Sequence, residues 1–279
     1  MTKIIFQISS ITLLFLSNLG QAQDFHGQAV YETKVQMNDF KFTKQEMPEA
    51  VQAQLQEKMR KAFEKTFVLN FNKFESIYFQ EEKLEAPSPS SGGFKMMSAA
   101  EGKQYKNVKE KIAISEEDLF GKEFLVQDSL PKWEWKLENE TKKIGNYTCH
   151  KATILIPVSE EDLKDFEESK KIQANSKTTF IQIQEPKEKI ITAWYTPEIP
   201  VSQGPDEYWG LPGLILEVND GKKMALCSKI ILNPKEKAEI KRPKKGKKVN
   251  QKEFEEITKK QLESMKDGNG VIHINASGR

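Results

Sequence analysis

The residues that could do chemistry in this chain are few and scattered. Three histidines, His26, His150 and His273, fall on separate predicted elements, without the close spacing that metal ligands on one element show. Neither a Gly-x-Ser-x-Gly nucleophile turn nor a His-Glu-x-x-His metal pair occurs. Cys149 and His150 are adjacent, but neighbours on a strand point to opposite faces, which disfavours a thiolate–imidazole dyad. Glu217 interrupts an apolar strand and reads as an outward-facing residue. Hydrolysis or metal chemistry would need the histidines or Glu217 to converge, so no catalytic residue, metal or cofactor is expected. Binding is the remaining chemistry. Trp194, Tyr195, Tyr208 and Trp209 form an aromatic group that either lines a ligand concavity or plugs a core.

Those aromatics sit in a stretch, Trp194 to Val218, that also holds Pro197, Pro200, Pro205, Pro212, Gly204, Gly210 and Gly213. Leu211-Pro212-Gly213-Leu214 has the chemistry of a type II turn. Proline presets the first central dihedral and glycine accepts the positive φ of the second. The turn launches a strand with Leu214, Leu216 and Val218 on one face and Ile215 and Glu217 on the other. Gly210 allows another backbone or a ligand to approach closely.

The elements that position this stretch are mostly strands. Phe25 to Met37 alternates as a first strand. Pro48 opens a helix carrying Val51, Leu55, Met59 and Phe63. Phe67 to Phe79 reads as a hairpin, and residues 86–100 as a loop. Further strands are predicted at 104–108, 111–114, 123–127, through Trp133, Trp135 and Leu137, at 147–156, 178–184 and 190–195, and as a hairpin, 214–218 with 224–232, turning at Asn219-Asp220-Gly221. Ser159 caps an acidic helix closed by Lys170 and Lys171. A basic linker spans 241–248, and a C-terminal amphipathic helix runs from about 250 to 266. The class is mainly β, with about ten or more strands. A large curved antiparallel sheet or open half-barrel, with one early and one C-terminal helix, fits that pattern.

Met1-Thr2-Lys3 followed by the apolar run Ile4 to Leu16 and Gly20-Gln21-Ala22 is the layout of a signal peptide over residues 1–22, cut near Ala22. The run is too short and polar for a membrane span. Residues 23–279 then form a single domain, periplasmic or secreted and not integral to the membrane. The chain has 43 basic and 41 acidic side chains, a balance that lacks the concentrated positive charge needed to bind nucleic acid. Cys149 and Cys227, an even pair in an exported chain, read first as a disulfide.

Gly210-Leu211-Pro212-Gly213-Leu214-Ile215, preceded by Trp194-Tyr195-Thr196, Gly204-Pro205 and Tyr208, resembles the signature of the GLPGLI family, exported proteins found mainly in the Bacteroidota. Tyr31-Glu32 and the strand Tyr147 to Ala152 fit the same resemblance. It implies compartment and fold but no activity. A looser likeness is to LolA-like periplasmic carriers, open half-barrels that hold acyl chains. The expectation from residues and resemblance together is a non-catalytic binding or carrier module for a lipid or other apolar or amphiphilic ligand. The alternative is an accessory protein that contacts an outer-membrane transport partner through strand edges, the basic linker and the acidic excursion.

Overall fold

The structure is a computed structural model, and it describes residues 25–35, 53–54, 57, 64–81, 102–175 and 185–264. The signal peptide, the loop at 86–100, the strand at 178–184, His273 and the end of the last helix lie outside these residues. So does most of the helix expected after Pro48, of which Ala53, Gln54 and Glu57 are described and helical.

Twelve strands form one open sheet: β1 (His26–Val35), β2 (Thr66–Asn72), β3 (Glu75–Gln80), β4 (Gln104–Asn107), β5 (Ile112–Leu119), β6 (Lys122–Ser129), β7 (Lys136–Ile144), β8 (Tyr147–Ile156), β9 (Lys189–Thr196), β10 (Leu214–Asn219), β11 (Lys223–Leu232) and β12 (Lys247–Val249). The order is β12-β6-β5-β4-β3-β2-β1-β11-β10-β9-β8-β7. Two meanders, β2 to β6 and β7 to β11, are thus joined through β1, which pairs antiparallel with both β2 and β11. Among the described residues, the single departure from antiparallel pairing is β12 on β6, where the basic linker returns along the edge.

Alternation sets the faces. In β1, Gly27, Ala29, Tyr31 and Thr33 are buried while Glu32 is exposed. Pairing carries that face across the sheet, from Cys227 through Tyr31 to Phe67, and from Ala29 through Leu69 to Tyr78. The Phe67 and Tyr78 rings stack at 4.8 Å. The same face continues through Ser76, Lys106, Ala113 and Asp128. On the reverse face of β4 to β6, Tyr105, Ile114 and Leu125 pack under Ile240.

Among the described residues, two helices with defined bounds accompany the sheet: α1 (Glu160–Asn175) and α2 (Gln251–Ser264). Asn250 and Glu253 cap α2 reciprocally, at 2.8 and 2.9 Å. Its Phe254 and Ile257 then rest on Phe124, Val126 and Val249. α1 begins at the Ser159 cap, where Asp162 N–H donates to the Ser159 hydroxyl at 3.0 Å. It continues past Lys170 and Lys171 to Asn175, so those lysines do not close its last turn. The strand expected through Trp133 and Trp135 starts only at Lys136. Residues 130–135 leave the sheet because their indoles are used elsewhere, as described below.

The expected disulfide is absent: Cys149 and Cys227 are both buried free thiols. They lie on β8 and β11, which β9 and β10 separate. Three strand spacings of about 4.8 Å far exceed the Cα separation of roughly 6 Å that a disulfide accepts. Burial pushes the two thiols up, to about 11 for Cys149 and about 12 for Cys227.

Candidate functional site

The segment 197–213 between β9 and β10 folds back over the face carrying Tyr31 and Lys106, and covers part of it. Its backbone is tied to the strands it joins: Leu214 N–H donates to Ile199 O and Ile215 N–H to Gln203 O, both at 3.0 Å. Side chains of the sheet reach up to it. The Tyr31 hydroxyl donates to Ile215 O at 2.6 Å, and the Ser76 hydroxyl to Gln203 Oε1 at 2.9 Å. Ile199, Val201, Tyr208 and Leu211 are buried within the same core as Tyr31 and Phe67.

A lysine holds the middle of the plug. Lys106, 2% exposed, donates from Nζ to Gly204 O at 2.7 Å, to Tyr208 O at 3.1 Å and to Asp206 O. Burial lowers its pKa to about 7, while the Asp206 and Glu207 carboxylates beside it work to raise it. Glu207 is exposed as a residue, yet desolvation, followed by the Asp206 charge, raises its carboxyl above the usual range.

Three indoles close the outer side. Trp133 Nε1 donates to Glu207 O at 3.1 Å, Trp135 Nε1 to Trp209 O at 2.8 Å, and Trp209 Nε1 to Pro131 O at 2.8 Å. The Trp133 ring stacks on Tyr208 at 5.4 Å. Each indole thereby satisfies its one donor on a carbonyl that would otherwise lose water. The aromatic group read from the sequence therefore divides. Tyr208 and Trp209 belong to the plug and Tyr195 to the core beneath it. Trp194 lies on the opposite face, paired with Glu217, under the Lys142 ammonium at 4.4 Å. No common cavity collects the four among the described residues. Tyr208 borders a hollow of about 90 Å³ with Tyr78, Asp206 and Lys223.

The turn at Leu211-Pro212-Gly213-Leu214 is not type II, because Gly213 does not take a positive φ; Gly210 does, at 95°. Gly213 is needed for a different reason. A Cβ there would lie 2.2 Å from Thr196 O, where the plug leaves β9 and re-enters β10. Gly204 is similarly tight, with a Cβ falling 2.8 Å from the Ile215 side chain.

The other chemical candidates remain apart. His26 and His150 are on β1 and β8, with three strands between them. The His150 ring lies 5.9 Å from that of Tyr195. Glu217 pairs with Lys142 at 2.7 Å. The basic linker is a strap: Arg242 pairs with Glu110 and Lys245 with Glu123, and Gly246 passes so close to β6 that a Cβ would meet Phe124 C at 2.7 Å.

Beside the plug, the same sheet face is left open. Between the plug and α2 lies a groove of about 580 Å³. Paired rows of strand residues form its floor: Lys106, Ala113 and Asp128, then Gln104, Ser115 and Val126. Asp206 and Glu207 form one wall, Leu130 and Pro131 an end, and Gln251 and Glu255 of α2 the other wall. No sequence pattern marks it, because its lining comes from three strands, a loop and a helix far apart in the chain. The helix that completes it is recognisable from its Asn250–Glu253 cap.

No curated protein matches the chain in sequence. Among solved structures, PNGF-II in its C2 and P21 crystal forms is similar at 14% identity, with TM-scores of 0.47 and 0.46. Those matches cover 85% of this chain, which spans about a third of the PNGF-II chains, 33% and 34%. Residues 135–217, from the Trp135 that clasps the plug to the Glu217 just beyond it, match the family model described as a protein of unknown function (Porph_ging).

Proposed function

We propose that this chain is an exported, non-catalytic binding module of the GLPGLI type, and that its ligand lies in the groove between the plug and α2. The observation that carries this reading is the composition of the groove. A small apolar patch, Ala113, Val126, Leu130 and Pro131, is ringed by Glu117, Asp128, Asp206, Glu207 and Glu255. Ionised carboxylates only accept hydrogen bonds, so a fitting ligand supplies donors, as a hydroxyl or ammonium group does. The apolar patch favours attaching that group to a hydrocarbon. An amphiphile with a donor-rich head therefore suits the groove better than a purely apolar molecule. The aromatic plug supports the site by fixing the Asp206–Glu207 wall.

The test uses calorimetry with two simple amphiphiles, decylamine and decanoate, on the mature chain. Decylamine is expected to bind and decanoate to be rejected by the carboxylates. Ala113→Trp, which fills the floor, is expected to abolish decylamine binding while the protein stays folded. Equal binding of both amphiphiles, or decylamine binding that survives Ala113→Trp, would remove the groove as the ligand site.

A further inference from the structure

Lys106 is more than a buried charge. Its three partners, the carbonyls of Gly204, Asp206 and Tyr208, belong to one turn. Asp206 in that turn adopts the left-handed region at φ 52°, and Tyr208 N–H closes it on Pro205 O at 3.1 Å. An ammonium has three donors and no lone pair, so three carbonyls match it fully. A neutral amine has two donors and a lone pair that would face a carbonyl oxygen.

We propose that Lys106 is a proton-operated pin: its ammonium holds the Gly204–Tyr208 turn against β4, and loss of the proton frees the turn together with the Asp206–Glu207 wall. The pin stands on the turn itself and holds whether or not the groove takes a ligand. Its surroundings are mainly anionic. Asp206 and Glu207 act on it from the turn, while Glu117 of β5, Asp128 of β6 and Glu255 of α2 line the groove beside it. Lys223 of β11, 3.3 Å from Asp206, offsets part of that charge, and Asp220, Tyr78 and Tyr208 border the adjoining hollow. Burial, which lowers the lysine to about 7, sets the change at a pH where proteins work.

Hydrogen exchange of the Tyr208 and Gly210 amides reads the turn directly, since they donate to Pro205 O and Ser202 O. Measured against intrinsic rates, their protection is expected to fall about tenfold between about pH 6 and about pH 8.5, the weight of roughly one hydrogen bond. Asp206→Asn suits the left-handed backbone and removes one carboxylate that supports the proton. It is expected to move the midpoint to lower pH. Protection that stays constant across the range in the unaltered protein, or a midpoint that Asp206→Asn leaves in place, would overturn the pin. Neither readout needs a folded Lys106 variant or a ligand, so failure here is distinct from failure of the groove.

Discussion

Gly213→Ala tests whether the plug depends on a close backbone approach. The added Cβ would lie 2.2 Å from Thr196 O, 2.5 Å from Thr196 C and 2.9 Å from Pro197 N. An ordinary carbon–oxygen contact is about 3.3 Å, so the chains must part by roughly an ångström. No flexible side chain can absorb that shift, because all three neighbours are backbone and Pro197 has a fixed φ. Leu214 is also paired with Thr196 and bonded to Ile199 O, so the strain spreads into the β9–β10 pairing. Overpacking of this kind costs about 3 kcal/mol, at the upper end of its usual range. Gly210→Ala is the control. There the backbone is left-handed at φ 95°, but the nearest atom to a new Cβ is Trp135 Nε1 at 3.8 Å. The cost is then conformational alone, about 1–2 kcal/mol. Urea unfolding followed by fluorescence separates the two, provided the midpoint moves and the slope does not. A Gly213→Ala protein that loses less stability than Gly210→Ala would refute the close-approach argument and restore a dihedral one.

Two further outcomes follow from buried groups. With no reductant present, alkylation of the unfolded mature chain is expected to label both Cys149 and Cys227, and labelling of the native chain at neutral pH to be slow because both thiols are buried and titrate high; an unfolded chain that takes no label would show a disulfide instead. For Lys106 the native pKa of about 7 lies below the ordinary 10.5, so between those values the unfolded state binds more protons. Stability relative to Lys106→Met should therefore rise by about 1.4 kcal/mol per pH unit above neutrality, and be lost again as pH falls to about 7. Urea midpoints for the two proteins that run parallel from about pH 7 to about pH 9 would contradict this.

Much of the sheet was legible because burial on one face writes itself as alternation. β1, the β2–β3 hairpin and the hairpin turning at Asn219-Asp220-Gly221 all lie where their patterns placed them. Trp133 and Trp135 also alternate, yet they belong to no strand. Their period was real, but the demand of indole N–H groups for plug carbonyls outweighed sheet pairing. Pro212-Gly213 misled in another way, since a proline–glycine pair serves both a type II turn and a point of close approach. Only the position of Thr196 distinguishes them. Lys106 left no mark in the sequence, where one lysine among Lys103, Lys109 and Lys111 reads as solvated. Its role appears once pairing puts it beside Ser76 and Ala113, on the face that the plug covers.

Plug and groove are consequences of one mismatch between the two cover elements and the sheet. The plug spans the face from β11 and β1 to β4, and α2 covers β6 and β12. The strip between them over β4 to β6 is left to the side chains that line it. An apolar strip there would need a cover, but Glu117 and Asp128 line this one, and carboxylates favour contact with water over burial. The groove is consequently stable when open, and its width depends on how firmly the plug's edge is held. That edge is the Asp206–Glu207 turn, and Lys106 is what holds it. The protonated pin bears the cost of a desolvated charge, while the neutral amine gives up one bond to the turn. Raising the pH should thus make the fold as a whole more resistant to urea while loosening this one turn. Local tightness and global stability move in opposite directions, as expected of a buried charge kept for position rather than for stability.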